Sequence, residues 1–561
     1  MRIVDEVCQE RLMEHTTFIS KEVRSSGSEE ELRAFQYIQQ QLESIGLRTE
    51  LTFQEAYISL PAEAEIQLDG TPVPCITHSM AASTTESGIE GKLITLEESE
   101  DWPRLDGKIV LLQGIALPST VEKVERLGAI GAIFVNGPHT HEMIVSTVWG
   151  NPTPDAIYPT IPVLSVNNDS RDFLEQQEGQ ICWIRSKVDT AWRKIPCLTA
   201  ELKGTIEPDK FLLFSGHVDS WHYGAMDNAT ANATMLEVAR VLTNHRADLR
   251  RSIRFAFWSG HSHGRYAGSA AYCDTHWEDM YDHCFMHVYV DSVGGKGATI
   301  LAESNCMEET KGMAAEVLAH FSEEKYIGKR FARAGDQSFW GTGVPSLYMG
   351  MSEQPLSDEP AAQALFKIFG GENAGGFGWW WHTTEDTIDK IDAAHLTRDC
   401  QIYVATIHKA CSCPVIPIDQ RAAVNQIRKE IENYQKIANG KIDLSVTLNR
   451  LSELQLGLEK LYEKIDKKPG KAVSEDVETF NIQIMQLSRL LVPLQYVAGD
   501  QFDHDKAIYQ APIPQLAPIH QLAKIEEGTN EYYQWKTHLT RRINHLNHTL
   551  RQANRHIATV L

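Results

Sequence analysis

The sequence predicts an α/β protein: a mostly parallel, mixed sheet sandwiched by helices, with a smaller α/β domain inserted near the amino end and a helical bundle at the carboxyl end. Three observations carry this reading. Between about 196 and 415, strongly apolar runs alternate with amphipathic stretches, the texture of βαβ units. From 60 to 195 the runs are shorter and separated by turn residues. After Pro414 and Pro417 the chain has helical period throughout.

Residues 1–59 form the amino-terminal part of the main domain. Leu32, Phe35, Ile38, Leu42 and Ile45 recur at three- and four-residue steps, so they share one helix face; Gly46 stops that helix and an alternating strand follows. Within 60–195, GKIVLLQG (107–114), GAIGAIFVNG (128–137) and TIPVLSVNN (160–168) are strand runs, and Val121, Val124 and Leu127 share a helix face between the first two. The main domain resumes at 196–415 with FLLFSGHVDS, ATANATMLEVARVL, IRFAFWSG and HVYVDSVGG in strand and helix alternation. In 416–561, Ala423, Ile427, Ile431 and Tyr434, then Leu451, Leu454, Leu458 and Leu461, predict about four helices. These carry more apolar surface than one short bundle needs, so a face is expected to bury against the main domain or a twin subunit.

The 561 residues carry 53 Lys and Arg against 75 Asp and Glu, a formal charge of 53 − 75 = −22. Such a surface repels phosphate backbones and anionic lipid, so neither nucleic acid nor membrane is an expected partner. The opening residues include Asp5, Glu6 and Glu10 and lack the apolar core of a secretory signal, and no window is apolar enough to span a bilayer. A cytoplasmic protein is expected. Of the 10 cysteines only Cys411 and Cys413 lie close together, which predicts reduced, mostly buried thiols.

In parallel sheets ligands collect where the carboxyl ends of strands open onto a crevice. Four apolar runs end on suitable side chains: His217 and Asp219, followed by Asp227; His261, Ser262 and His263; Asp291; and His382, after Trp379, Trp380 and Trp381. Histidine and carboxylate together suit Zn²⁺ or a similar divalent ion, and Asp219 is placed to orient a ligating imidazole from behind. Taken singly, each is more often a hydrogen-bonded pair or a cap.

In their joint order these residues resemble the co-catalytic zinc exopeptidases, family twenty-eight of the metallopeptidases, over residues 15–413. The matching motifs are His217-Val218-Asp219, Asp227-Asn228, Asp291 and His382-Thr383. The resemblance implies a metal centre of His217, Asp227, Asp291 and His382 holding one or two zinc ions, with Mn²⁺ or Co²⁺ as alternatives. It also implies a protease-associated domain at 60–195 and a dimerisation-type tail, hence a homodimer. The substrate implied is a small peptide or amino-acid-like molecule. GDQSFWGTGVP (335–345) resembles a family loop, so Asp336 and Gln337 are expected to face substrate beside Trp381. Arg265 either reads a substrate carboxylate or makes a surface salt bridge.

The sequence departs from the family at its Glu-Glu pair, a general base followed by a metal ligand. Here the stretch reads Trp258-Ser-Gly-His261-Ser262-His263-Gly-Arg265, and counting from either flank gives registers one residue apart. We expect His261 as base and His263 as ligand, because a neutral serine hydroxyl is poor at both tasks. With two fewer anions the site holds a second cation less well. The reading is a metal-dependent exopeptidase or amidohydrolase. Its rivals are an inactive binding or assembly member and a metal enzyme of acyl transfer or elimination, as in glutaminyl cyclases.

Overall fold

A computed structural model describes residues 2–97, 99, 101–358, 362–363, 366, 372–466 and 475–559. Two helices open the chain, α1 (Gln9–Ile19) and α2 (Glu29–Ser44). Ser28 caps α2 by accepting the Glu31 N–H at 3.1 Å, and three glutamates sit in the first turn, where the helix dipole favours negative charge. Phe35, Ile38 and Leu42 form its buried face.

Next come β1 (Arg48–Leu68), β2 (Thr71–Val73), β3 (Ile76–Thr77), β4 (Ile89–Leu96) and β5 (Lys108–Gln113). They are followed by α3 (Pro118–Arg126), β6 (Gly131–Val135), β7 (Val163–Val166), α4 (Arg171–Gln176) and β8 (Ile181–Leu202). β1 and β8 pair antiparallel from Arg48 opposite Glu201 to Leu68 opposite Cys182. The expected boundaries at 59/60 and 195/196 therefore lie inside two strands that run unbroken from the main sheet into the inserted unit. Pro61 and Pro196 stand at the two crossings, yet pairing continues through both with a register shift only between Pro61 and Glu63, so a punctuating residue there does not end the strand.

The main domain continues with β9 (Glu207–His217), α5 (Ala231–Asn244), β10 (Arg251–Trp258), α6 (Ala267–Thr275), α7 (Trp277–His283) and β11 (Cys284–Tyr289). α8 (Glu308–Leu318), β12 (Ser346–Leu347) and α9 (Ala393–Ser412) complete it. The sheet order is β12-β11-β9-β10-β8-β4-β5-β6-β7-β3, with β1 on β8. β9 to β12 are mutually parallel and β8 is antiparallel to β10. This is the mostly parallel mixed sheet flanked by helices that the sequence predicts. His217 lies level with Trp258, so β9 and β10 end at one edge, beside the end of β11.

Among the described residues the carboxyl-terminal unit has four long helices, α10 (Gln420–Ala438), α11 (Ser445–Asp466), α12 (Glu475–Tyr496) and α14 (Asn530–Ala558), and a short α13 (Ile519–Lys524). They enclose a core of their own that includes Ile427, Ile431, Leu454, Leu458 and Leu461. The unit is fastened to the main domain by Arg489 of α12, whose guanidinium donates to the carbonyls of Tyr281 (2.6 Å), Gly343 (2.9 Å), Cys284 (2.5 Å) and Met280 (3.4 Å). All ten cysteines are free thiols, and no helix among the described residues is long and apolar enough to cross a membrane.

Candidate active site

The ends of β9, β10 and β11 deliver the site. After His217 the chain turns at Gly224, which has φ of 51° and where a Cβ would lie 2.2 Å from the Asp227 carbonyl oxygen. Only glycine fits that turn. The segment Ala225–Thr230 follows, and Asp227 within it leaves helical geometry at φ −112° and ψ 85°. That excursion sets the carboxylate between two imidazoles: Asp227 Oδ1 is 3.1 Å from His217 Nε2, and Oδ2 is 3.1 Å from His382 Nε2. Asp291 Oδ2 is 3.6 Å from His217 Nε2.

Hydrogen bonds on the far side of each ring assign its tautomer. His217 Nδ1–H donates to the Asp219 carbonyl at 2.9 Å, and His382 Nδ1–H donates to the Glu142 carbonyl at 2.7 Å. His261 Nδ1 is 2.8 Å from Asp336 Oδ2, a carboxylate that accepts its proton. All three rings thus turn an Nε2 lone pair inward. His217 Nε2 and Asp227 Oδ1 are buried and make no hydrogen bond. Two acceptors aimed at one point without a proton between them suit a cation, and His217, His261 and Asp291 offer ligand atoms all within 4.8 Å of one another. Burial works to lower the His217 pKa and to raise that of Asp227. With no ion between them, the interactions of His217 with Asp291, Asp219 and Asp227, and of Asp227 with His217 and His382, outweigh it, so the imidazole is held above its ordinary range and the carboxylate below: the carboxylates favour a positive charge at His217 Nε2, and a metal ion there takes the place of a proton.

Asp219 organises the turn after β10. Its Oδ2 accepts the Ser262 N–H at 2.8 Å and the Ser26 hydroxyl at 2.6 Å, while Oδ1 is 3.3 Å from the His261 N. Held this way, His261 and Ser262 line the cavity, and the His261 ring stacks on His217 at 3.7 Å. His263 does not join them. Its Nδ1 is 2.9 Å from Ser26 Oγ and 3.3 Å from Ser26 N, and the indole of Trp221 lies 4.4 Å from its ring and 5.6 Å from that of His382. The expectation that His263 ligates a metal is therefore corrected: clamping the two preceding amides on Asp219 turns the third side chain away.

Other expectations change as well. Asp336 is fully buried and does not face the cavity; it accepts from His261, from Ser269 Oγ at 2.6 Å, and lies 3.0 Å from the Tyr289 hydroxyl, which is 2.9 Å from Asp291 Oδ2. Of the three tryptophans only Trp381 lines the cavity, stacked on His382 at 3.4 Å. Trp380 packs in the core and Trp379 stacks on His139. Arg265 makes no surface salt bridge: it is buried, and its Nη2 donates to the Ile144 carbonyl. After His382, Asp389 sits in a single turn at Ile388–Lys390, and α9 starts at Ala393, capped by Asp392.

Two groups escaped the sequence reading. Asp386 accepts the N–H of Met226 at 2.8 Å and of Asp227 at 2.9 Å, so it holds the backbone that aims Asp227; burial pushes its own pKa up to about 7. Glu142, from the inserted unit, supplies the carbonyl behind His382. Glu142 has no local tie to the site, its partner lying 240 residues away; Asp386 follows His382 by four residues, but its contacts with Met226 and Asp227 span 160 and 159 residues and no local pattern records them.

The cavity over these residues has a volume of about 170 Å³ and draws walls from every unit: Leu117, Pro118, Met143 and Ile144 from the insertion, Phe377 and Trp381 from the main domain, and Ala507, Ile508 and Tyr509 from the carboxyl-terminal unit.

The sequence profile of peptidase family M28 matches residues 198–407, which contain His217, Asp227, His261, Asp291, Asp336 and His382. This segment is a peptidase family M28 domain. Probable glutamate carboxypeptidase VP8 of Zea mays is 23% identical over 261 residues, 45% of this chain, but the chain spans only 35% of that protein's length. Aminopeptidase YwaD of Bacillus subtilis (strain 168) is 23% identical over 379 residues, 65% of this chain and 76% of its own. Among solved structures, BSAP, a zinc aminopeptidase from Bacillus subtilis, superposes with a TM-score of 0.54 at 18% identity, covering 72% of this chain and 95% of its own. The family M28 fold is thus shared, with His217, His261 and Asp291 at its strand ends and Asp227 and His382 on the segments that face them.

Proposed function

We propose that the chain is a metal-dependent exopeptidase or amidohydrolase that cleaves a small peptide or amino-acid conjugate. One observation carries the reading: Asp227 reaches His217 and His382 with its two oxygens at 3.1 Å each, every Nε2 lone pair facing inward. The family M28 domain, the aminopeptidase and glutamate carboxypeptidase names of its relatives, and the zinc of BSAP support it. His217, Asp227 and Asp291 would hold the ion, with His382 on the second oxygen of Asp227. When bound, a divalent ion supplies a Lewis acid for the scissile carbonyl and eases ionisation of a water. The His382 side has only the shared Asp227 as an anionic neighbour, so the donor set favours one zinc ion over two.

His261 replaces the usual glutamate as general base. With Nδ1–H on Asp336, its Nε2 accepts the proton of the attacking water, and the Asp336 carboxylate steadies the imidazolium that forms. Its ring stacks on His217 and lies 4.8 Å from the Tyr266 ring at a steep angle, contacts that help hold it in place. A second reading makes His261 a metal ligand, and the convergence of His217, His261 and Asp291 within 4.8 Å favours that alternative. The cavity, walled by three units, suits short substrates with free ends.

The test is elemental analysis of protein purified without chelators, followed by a panel of aminoacyl amides, dipeptides and N-acyl amino acids. We expect about one divalent ion per chain and turnover of at least one class. No stoichiometric metal after soaking in zinc, manganese and cobalt would falsify the reading.

A further inference from the structure

Beyond the metal donors, two guanidinium groups line the cavity, Arg265 and Arg333. Both are buried, at 8% and 7% exposure. Arg265 donates through Nη2 to the Ile144 carbonyl, and its Nε has no hydrogen-bond partner. Arg333 donates through Nη1 to the Gln337 carbonyl at 2.9 Å and lies 3.8 Å over the ring of Trp149; its Nε is also unpartnered. Arg265 pairs with no carboxylate among the described residues; Arg333 makes no close ion pair, but its Nη2 donates to the Asp505 carbonyl at 3.5 Å and the Asp505 charge partly offsets its own. Arg251 and Arg254 behave differently: Arg251 reaches Glu207 at 3.0 Å, and Arg254 reaches Asp279 at 2.6 Å and Glu201 at 2.9 Å. Among the described residues, the carboxylates lining the cavity are Asp227 and Asp291, which are committed to the metal centre.

A buried cation without a counter-ion is expensive, and two in one cavity add mutual repulsion. Rings link them along one wall: Arg265 lies 5.9 Å from the Tyr266 ring, Tyr266 packs on Trp149 at 4.3 Å, and Trp149 carries Arg333. Much of the remaining lining, including Met143, Ile144, Phe377 and Ile508, is apolar. An anion from outside is the missing partner, and a planar carboxylate matches a guanidinium fork best.

We propose that this wall is a carboxylate subsite: the substrate carries a free carboxylate on an apolar body, Arg265 binds the carboxylate directly, and Arg333 adds the second positive charge. The inference rests on the proposed function and names the substrate class for that same cavity.

The test uses zinc-loaded full-length protein and matched pairs that differ only in the carboxylate, such as Leu-Phe against Leu-Phe-amide. We expect kcat/KM to favour the free acid by at least about tenfold. R265Q should abolish that preference mainly through KM, and R265K should retain part of it. A second measurement needs no turnover: calorimetric binding of 4-phenylbutyrate against 4-phenylbutyramide, with zinc and again in metal-free protein, because carboxylates also bind metals. Selective binding of the acid that persists without zinc and vanishes in R265Q supports the subsite even when nothing is hydrolysed, in which case the proposed function alone fails. Equal kcat/KM for both members of each pair overturns the subsite and leaves the function standing, and so does acid binding that requires zinc and survives R265Q.

Discussion

His261 and His263 are two residues apart and face different worlds. His261 shares the cavity with His217 and is held by Asp336; His263 is clamped on Ser26 behind Trp221. His261→Ala is expected to lower turnover by about 10²–10⁴-fold with metal content nearly intact; metal lost in parallel with activity would assign His261 as a ligand instead. His263→Ala should leave metal stoichiometry at the wild-type value in elemental analysis, and a clear drop would place its ring in the centre after all. The strand-end residues His217 and Asp291 were legible because each follows an apolar run that can only be a buried strand. The parity of 261–263 was not. It is decided by the Asp219 carboxylate holding two successive amides from more than forty residues upstream, and no local pattern records that.

At the scale of elements, Asp227 is aimed by a segment that abandons helical geometry, held through Asp386. Removing such a support commonly weakens metal binding without touching a ligand. Asp386→Ala is therefore expected to lower zinc affinity about 10- to 100-fold in a chelator competition titration, while Asp392→Ala, which removes only the cap of α9, should leave it unchanged. Equal affinities for wild type and Asp386→Ala would show that the segment keeps its geometry unaided. Helices such as α2 were legible from apolar spacing plus the Ser28 cap, and so was the αβ alternation. The long pair β1 and β8 was not, because half of each strand belongs to each unit and the alternation alone does not say which sheet a strand joins.

Three units close on one cavity, and the contact between the main domain and the carboxyl-terminal helices carries an unusual buried acid. Glu309 of α8 is 2% exposed and neither carboxyl oxygen has a hydrogen-bond partner. Its backbone carbonyl accepts the Asp419 N–H at 2.8 Å where the chain enters α10, and Arg330, whose Nη2 donates to the Gln495 carbonyl of α12 and whose guanidinium lies 3.7 Å over the Tyr496 ring, is the nearby cation. Burial pushes the Glu309 pKa up to about 7, helped by Glu308 and opposed by Arg330. The folded protein thus keeps a proton that the unfolded chain releases near its ordinary value of 4.5. The contribution is fully present below pH 4.5 and is lost as pH rises through about 7, and at about 1.4 kcal/mol per pKa unit it amounts to about 3 kcal/mol. Thermal unfolding followed from pH 5 to pH 8 should show wild type losing stability across this window and Glu309→Gln, which cannot ionise, losing less by about that amount. Parallel pH profiles for the two proteins would show that water reaches the Glu309 carboxyl, and that the join between the units does not titrate there.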